Sequence, residues 1–228
     1  MNDNIEATIY LSDQRGYSNL DGFRSFHCFN FGHYFDENRK PFGALQVLND
    51  DELIAQKNLS MTLESDTEVF LLPITGGLEY SDSLGNHHFV MTNQALNLTS
   101  TKGVSYTISN PYEVETINFL QVWIKNNREA TPTHVHNIEF NLNKNNQLWP
   151  VSHSKSFKAL IGKYNGRKND IYTVHKHNSI FVFVVSGAFE VQNRLLHARD
   201  GLSLKNVKTI EFESLSNDAV LLILEIFE

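Results

Sequence analysis

The sequence predicts an all-β protein. Three observations carry that prediction: short apolar or β-branched runs fill the chain, turn residues separate them, and no helical period is sustained over the length of a surface helix. Residues Thr67 to Ile74 form one apolar run, stopped by Thr75-Gly76-Gly77. Leu78 to Tyr80 follows, then the turn signal Asp82-Ser83-Leu84-Gly85-Asn86 and the short run Phe89-Val90-Met91. Asp82 and Asn86 are expected to shape that hairpin through side-chain hydrogen bonds. Val104, Tyr106 and Ile108 alternate with Ser105, Thr107 and Ser109, the period of a strand with one buried face. Thr116 to Ile124 is a longer strand with Trp123 near its end. In the second half, Ile171 to His177, Ile180 to Val185, Ala188 to Val191, Leu202 to Leu204, the alternating Ile210 and Phe212, and Val220 to Phe227 read the same way. So many short strands suggest a barrel or a sandwich. Phe157, Leu160 and Ile161 have helical spacing and predict one short helix.

The chain has 228 residues, of which 41% are hydrophobic, enough to close a sizeable core. Polar, Asn-heavy segments at 125–129 and 141–147 place a domain boundary within 125–147, giving domains 1–130 and 131–228. Lys and Arg number 19 against 26 Asp and Glu, a net charge of -7, which argues against broad adhesion to nucleic acid or anionic membrane. With one cysteine, Cys28, neither an intrachain disulfide nor a multi-cysteine zinc site can form. No apolar run approaches the roughly 20 residues of a membrane helix, and the first residues lack a signal-peptide pattern. The expected compartment is the cytoplasm.

Histidines are the first candidates for chemistry. His175-Lys176-His177, read as strand, would place two imidazoles on one face, which is two metal ligands of a needed three or four. A solvated or partner-facing strand is the favoured reading. His134-Val135-His136 repeats the pattern and is expected on a surface strand. His87-His88 follows a turn, with one ring in and one out. No nucleophile signal stands out: there is no G-x-S-x-G elbow, and Cys28 beside His27 is not a dyad, because strand neighbours point to opposite faces. Neither a P-loop nor a dinucleotide-binding glycine pattern is present.

Several motifs occur in a specific order: Ile9-Tyr10-Leu11, Arg15-Gly16-Tyr17, Ser25 to Phe29, Phe31 to Asp36, Phe42 to Asp51, Gly77 to Asn86, and Gln121-Val122-Trp123-Ile124. Together they resemble pirin-like bicupins, densely over residues 9–124 and more weakly to the end. The resemblance implies two stacked cupin barrels and, in typical members, one metal, often iron, held by an H-x-H pair and an H-S-E triplet in the N-terminal barrel. Some members oxygenate flavonols such as quercetin; others act as regulators through protein contacts. At the corresponding positions this chain carries Thr62, Glu64, Tyr106 and Ile108. A hydroxyl, a carboxylate, a phenol and a hydrocarbon are a poor donor set for a transition metal.

The resemblance therefore implies a bicupin without the family metal, without catalytic residues or cofactor. Its N-terminal barrel would take a small ligand at Thr62, Glu64, Tyr106 and Ile108, or its surface a protein partner. The alternative is a quercetinase-type dioxygenase using iron or another divalent transition metal at a relocated site, at His175 and His177 or around Glu64 and Glu68. A more remote option is a metal-free hydrolase or isomerase with Glu64 as base. Family alignment predicts that Thr62 and Glu64 face the barrel interior, with Glu64 opposite Tyr106. Strand alternation alone would instead bury Met61 and Leu63.

Overall fold

The computed structural model of the protein describes residues 5–126, 132–152, 154–175 and 177–227. These residues form strands almost throughout, with one short 3-10 turn at Ser12–Gln14. In chain order the strands are β1 (Glu6–Tyr10), β2 (Gly16–Leu20), β3 (Phe23–His27), β4 (Leu45–Leu53), β5 (Asn58–Thr62), β6 (Thr67–Thr75) and β7 (Leu78–Asp82). Next come β8 (His87–Val90), β9 (Gln94–Ser100), β10 (Ser105–Ser109), β11 (Ile117–Lys125), β12 (His134–Glu139), β13 (Gln147–Pro150) and β14 (Phe157–Tyr164). The last are β15 (Asn169–Thr173), β16 (Ser179–Ser186), β17 (Ala188–Val191), β18 (Arg194–His197), β19 (Gly201–Lys205), β20 (Thr209–Ser214) and β21 (Ala219–Ile226). All their pairings are antiparallel.

The N-terminal unit, Gly16–Glu139, has a seven-stranded sheet ordered β12-β9-β6-β11-β4-β3-β2 and a four-stranded sheet ordered β5-β10-β7-β8. Their inner faces share one core, with Leu53, Val69, Leu71, Leu98 and Phe119 from the larger sheet and Leu78, Tyr80, Tyr106 and Ile108 from the smaller. Of the alternating Val104, Tyr106 and Ile108, the last two form the inward face of β10 and Val104 is buried just before it, while Ser105, Thr107 and Ser109 face out. The Asp82 hairpin forms as its residues predict. Asp82 Oδ1 accepts from Leu84 N at 3.0 Å and Asn86 N at 3.1 Å, and Asn86 Nδ2 donates to Oδ2 at 2.9 Å. Gly76, at φ +71, turns the chain where a side chain would also strike Ile117 at 2.8 Å.

The C-terminal unit has a six-stranded sheet ordered β1-β19-β16-β21-β14-β13 and a four-stranded sheet ordered β15-β20-β17-β18 around a second core that includes Val182, Phe189, Leu202, Phe212 and Ile223. Its composition differs from the expected 1–130 and 131–228 in two ways. The described residues up to Arg15 join those from Phe140 onward, and β12 stays with the first unit. The pairing explains both. β1 docks on β19 with Ile9 opposite Leu202, its end held by Ser12 N donating to Asp200 Oδ1 at 2.7 Å. Tyr10 lies opposite Gly201 and meets Phe181 at 5.4 Å between ring centroids. β12 pairs with β9, His134 opposite Thr99. The change of unit at 139–140 falls inside the expected 125–147 window; positions 127–131 of that window lie outside the described residues.

The helix expected at Phe157, Leu160 and Ile161 is a strand instead. β14 pairs along its edges with β21 and β13, and Phe157 and the consecutive Ala159, Leu160 and Ile161 are all buried, so both of its faces are covered. A short run apolar on both faces carries no period that separates strand from helix. No described helix is long and apolar enough to cross a membrane.

Candidate functional site in the N-terminal barrel

Of the four positions singled out by the resemblance, the fold brings two inside. Tyr106 and Ile108 are buried on β10. Thr62 and Glu64 are exposed, so the expected inward pair is not formed. Strand parity decides it. Met61 stands opposite Tyr106 and packs on the core, whereas Thr62 stands opposite Ser105 and bonds its hydroxyl at 2.8 Å on the outer face. Leu63 is buried, which leaves Glu64 outside and away from Tyr106.

The interior beside Tyr106 is polar. The Tyr106 hydroxyl donates to Gln121 Oε1 at 2.5 Å and accepts from Trp123 Nε1 at 2.9 Å. Gln121 Nε2 donates to Asp51 Oδ2 at 3.1 Å, and the Ser25 hydroxyl donates to Asp51 Oδ1. Ser25 Oγ also lies 3.1 Å from His27 Nδ1, which meets Asn49 Oδ1 at 2.9 Å; His27 Nε2 meets Ser18 Oγ at 2.8 Å. The register builds this chain. Ser25 faces Asp51, His27 faces Asn49, and Asn49 faces Gln121 across β3, β4 and β11, so alternate residues deliver polar groups to one inner face. Phe31 and Tyr34 cover the imidazole at centroid distances of 5.2 and 6.0 Å, and Phe31 meets Trp123 edge-on at 5.7 Å.

Burial sets the protonation of this cluster. Asp51, fully enclosed, is pushed up to about 8, chiefly by loss of water; the Ser25 hydrogen bond opposes the shift and the neighbouring Asp50 charge adds to it. Burial likewise holds the Tyr106 phenol well above its ordinary range, against the Trp123 hydrogen bond. Tyr80 stacks on Tyr106 at 6.0 Å and donates to Asp82 Oδ2 at 3.0 Å. Among the described residues, no group of three or more His, Cys, Asp or Glu side chains is arranged to hold a metal ion.

The other candidates fall elsewhere. β15 ends at Thr173, so His175 and His177 lie in the turn before β16 rather than on one strand face. Both are exposed, His177 has φ +71, and Lys176 lies outside the described residues. His175 instead serves Glu225. That buried carboxylate accepts from His175 N at 2.7 Å, from Asn178 Nδ2 at 2.8 Å and from the Tyr172 hydroxyl, with His175 Nδ1 at 3.2 Å. Burial pushes the Glu225 carboxyl up, and these hydrogen bonds outweigh it and hold it below the usual range. His134 and His136 share one face of β12, rings stacked at 5.7 Å. Glu68 is buried, with Thr99 Oγ1 3.3 Å from its Oε2.

Sequence reasoning weighed His27 only against Cys28 and passed over Ser18, Ser25, Asn49 and Asp51. Alternation does not single them out: Asn49 and Asp51 lie in the unbroken polar run Asn49-Asp50-Asp51-Glu52, and Ser25 and His27 share their strand with Arg24.

Comparison with known proteins adds the lineage. The Pirin family model matches residues 10–124, and a model described as the quercetinase C-terminal cupin domain matches 157–226. The chain is 25% identical over 224 residues to the quercetin 2,3-dioxygenase of Escherichia coli, covering 94% of this chain and 97% of that protein. Among solved structures, YhhW from Escherichia coli superposes with a TM-score of 0.87 at 20% identity, covering 97% of this chain and 98% of its own. A structure of bacterial pirin YhhW in complex with nickel(II) gives 0.86 at 19% identity, covering 97% and 99%. The two antiparallel barrels are thus cupin domains in a known order, and the chain belongs to the pirin family.

Proposed function

We propose that this pirin-family bicupin works without the family's metal, as a binding protein for a small ligand or a protein partner rather than as a quercetin dioxygenase. One observation carries the reading: the Tyr106 hydroxyl, at a position where the family resemblance implies a ligand, is already engaged by Gln121 and Trp123. The rest of the donor set argues the same way. Ile108 has no donor atom, and Thr62 and Glu64 face outward. A divalent transition metal needs several N or O donors converging at about 2.0–2.2 Å. The residues here do not fit the nickel named for YhhW.

The competing reading, a dioxygenase with a relocated metal, is favoured by the full-length similarity to the Escherichia coli enzyme. Metal analysis of untagged protein, followed by quercetin assays after incubation with iron, nickel, copper or manganese, separates the two. The binding reading expects well under one equivalent of metal and no flavonol turnover. Near-stoichiometric metal with turnover overturns it.

A further inference from the structure

We propose that Ser18 is a nucleophile for acyl transfer, activated by His27 and supported by Asn49, and that it reacts with small carboxylic esters. Ser18 Oγ lies 2.8 Å from His27 Nε2, and His27 Nδ1 lies 2.9 Å from Asn49 Oδ1. An amide oxygen only accepts, so Nδ1 carries the ring proton and Nε2 turns its lone pair to Ser18. Ser25 Oγ also lies 3.1 Å from Nδ1 and is hydrogen-bonded to Asp51 Oδ1. The result is a nucleophile, a base in its working tautomer, and a third group that fixes that tautomer. Asn in the third place is a known variant of this arrangement.

Two further features suit the reading. His27 and Asn49 are enclosed, whereas Ser18 is half-buried on β2, the edge strand of its sheet, so the nucleophile is the group open to approach. Asn49 Nδ2, also buried, has no hydrogen-bond partner among the described residues. An orphaned buried donor costs stability, and what the side chain returns for it is the bond of Oδ1 to His27. Tyr34 lies directly over Gly16, where a Cβ would come within 2.3 Å of its ring, and with Phe31 it offers an apolar wall for an acyl or aryl group.

The chemistry balances with water alone. The Ser18 proton passes to His27 Nε2 as the Oγ–acyl bond forms and the ester C–O bond breaks, and the leaving alcohol takes that proton. A water molecule then attacks the acyl-serine, giving a proton to His27 that returns to Ser18 Oγ as the carboxylic acid departs. Ser18 and His27 are the catalytic residues, and Asn49 is a positioning residue.

The test is covalent labelling of the whole protein by diisopropyl fluorophosphate and by p-nitrophenyl acetate, read by intact mass and peptide mapping. One adduct on Ser18 is expected, absent in Ser18→Ala, which should still fold and unfold cooperatively. His27→Gln should slow labelling at least about a hundredfold. Asn49→Leu should slow it too, and Asn49→Asp, which restores an acceptor to Nδ1–H, should rescue it; this pair decides the matter if His27→Gln does not fold. No adduct at Ser18, or an adduct indifferent to the Asn49 pair, overturns the proposal. Neither outcome depends on metal content, so this test stands apart from the one above.

Discussion

Two buried carboxylates, one from each barrel, behave in opposite ways. Asp51 in the N-terminal barrel is pushed up to about 8, whereas Glu225 in the C-terminal barrel is held below its usual range. Loss of water raises both. What differs is the number of hydrogen-bond donors. Asp51 has Ser25 and Gln121 and sits beside the Asp50 charge. Glu225 has Tyr172, Asn178 and both the backbone N and the ring of His175. A few well-placed donors thus decide whether an enclosed carboxylate is kept charged as a fixed anchor or neutral as a mobile proton site.

Removing the anchor should have the largest effect. Glu225→Ala leaves Tyr172, Asn178 and the His175 amide without their acceptor, and we expect a loss of about 3–5 kcal/mol in urea unfolding. A loss below about 1 kcal/mol would show that solvent already satisfies these groups.

The two carboxylates should also give opposite pH slopes. The folded-state affinity of Asp51 for its proton exceeds that of the unfolded chain, so its contribution is intact below pH 4 and declines up to about pH 8. The slope is about 1.4 kcal/mol per pH unit where only the unfolded chain is ionised. Glu225 contributes above its unfolded value of 4.5 and is lost as pH falls below it. Asp51→Asn should remove the decline between pH 4 and 8 and leave the acid loss, while Glu225→Gln should do the reverse. Chemical unfolding across that range measures both, and parallel curves for the two variants would break the comparison.

The smallest effect is expected at Tyr106→Phe. The ring still fills its place against Tyr80, but Gln121 Oε1 and Trp123 Nε1 lose their shared partner, costing about 1–3 kcal/mol. A neutral result would place water between Gln121 and Trp123.

Much of the architecture was legible because it rests on local patterns. Val104, Tyr106 and Ile108 read as one buried face, and Asp82 with Asn86 read as a hairpin, since alternation and turn chemistry need no knowledge of partners. Phe157 to Ile161 misled, because a strand covered on both faces has no period to display. The orientation of Thr62 and Glu64 was likewise decided by parity with β10, against the family alignment. The Ser18–His27–Asn49 chain was invisible for a different reason. Its members come from three strands, and only register, which no single segment encodes, sets them side by side.

The docking of Glu6–Tyr10 on Gly201–Lys205 bears on biosynthesis. A ribosome makes the first strand long before its hydrogen-bonding neighbour, with almost the whole polypeptide to be translated in between. Until then its backbone amides stay wet, and β19 emerges to find a complementary edge already waiting. Separate expression of either half would strand one of these two segments, inviting pairing between molecules where the intact chain pairs within itself.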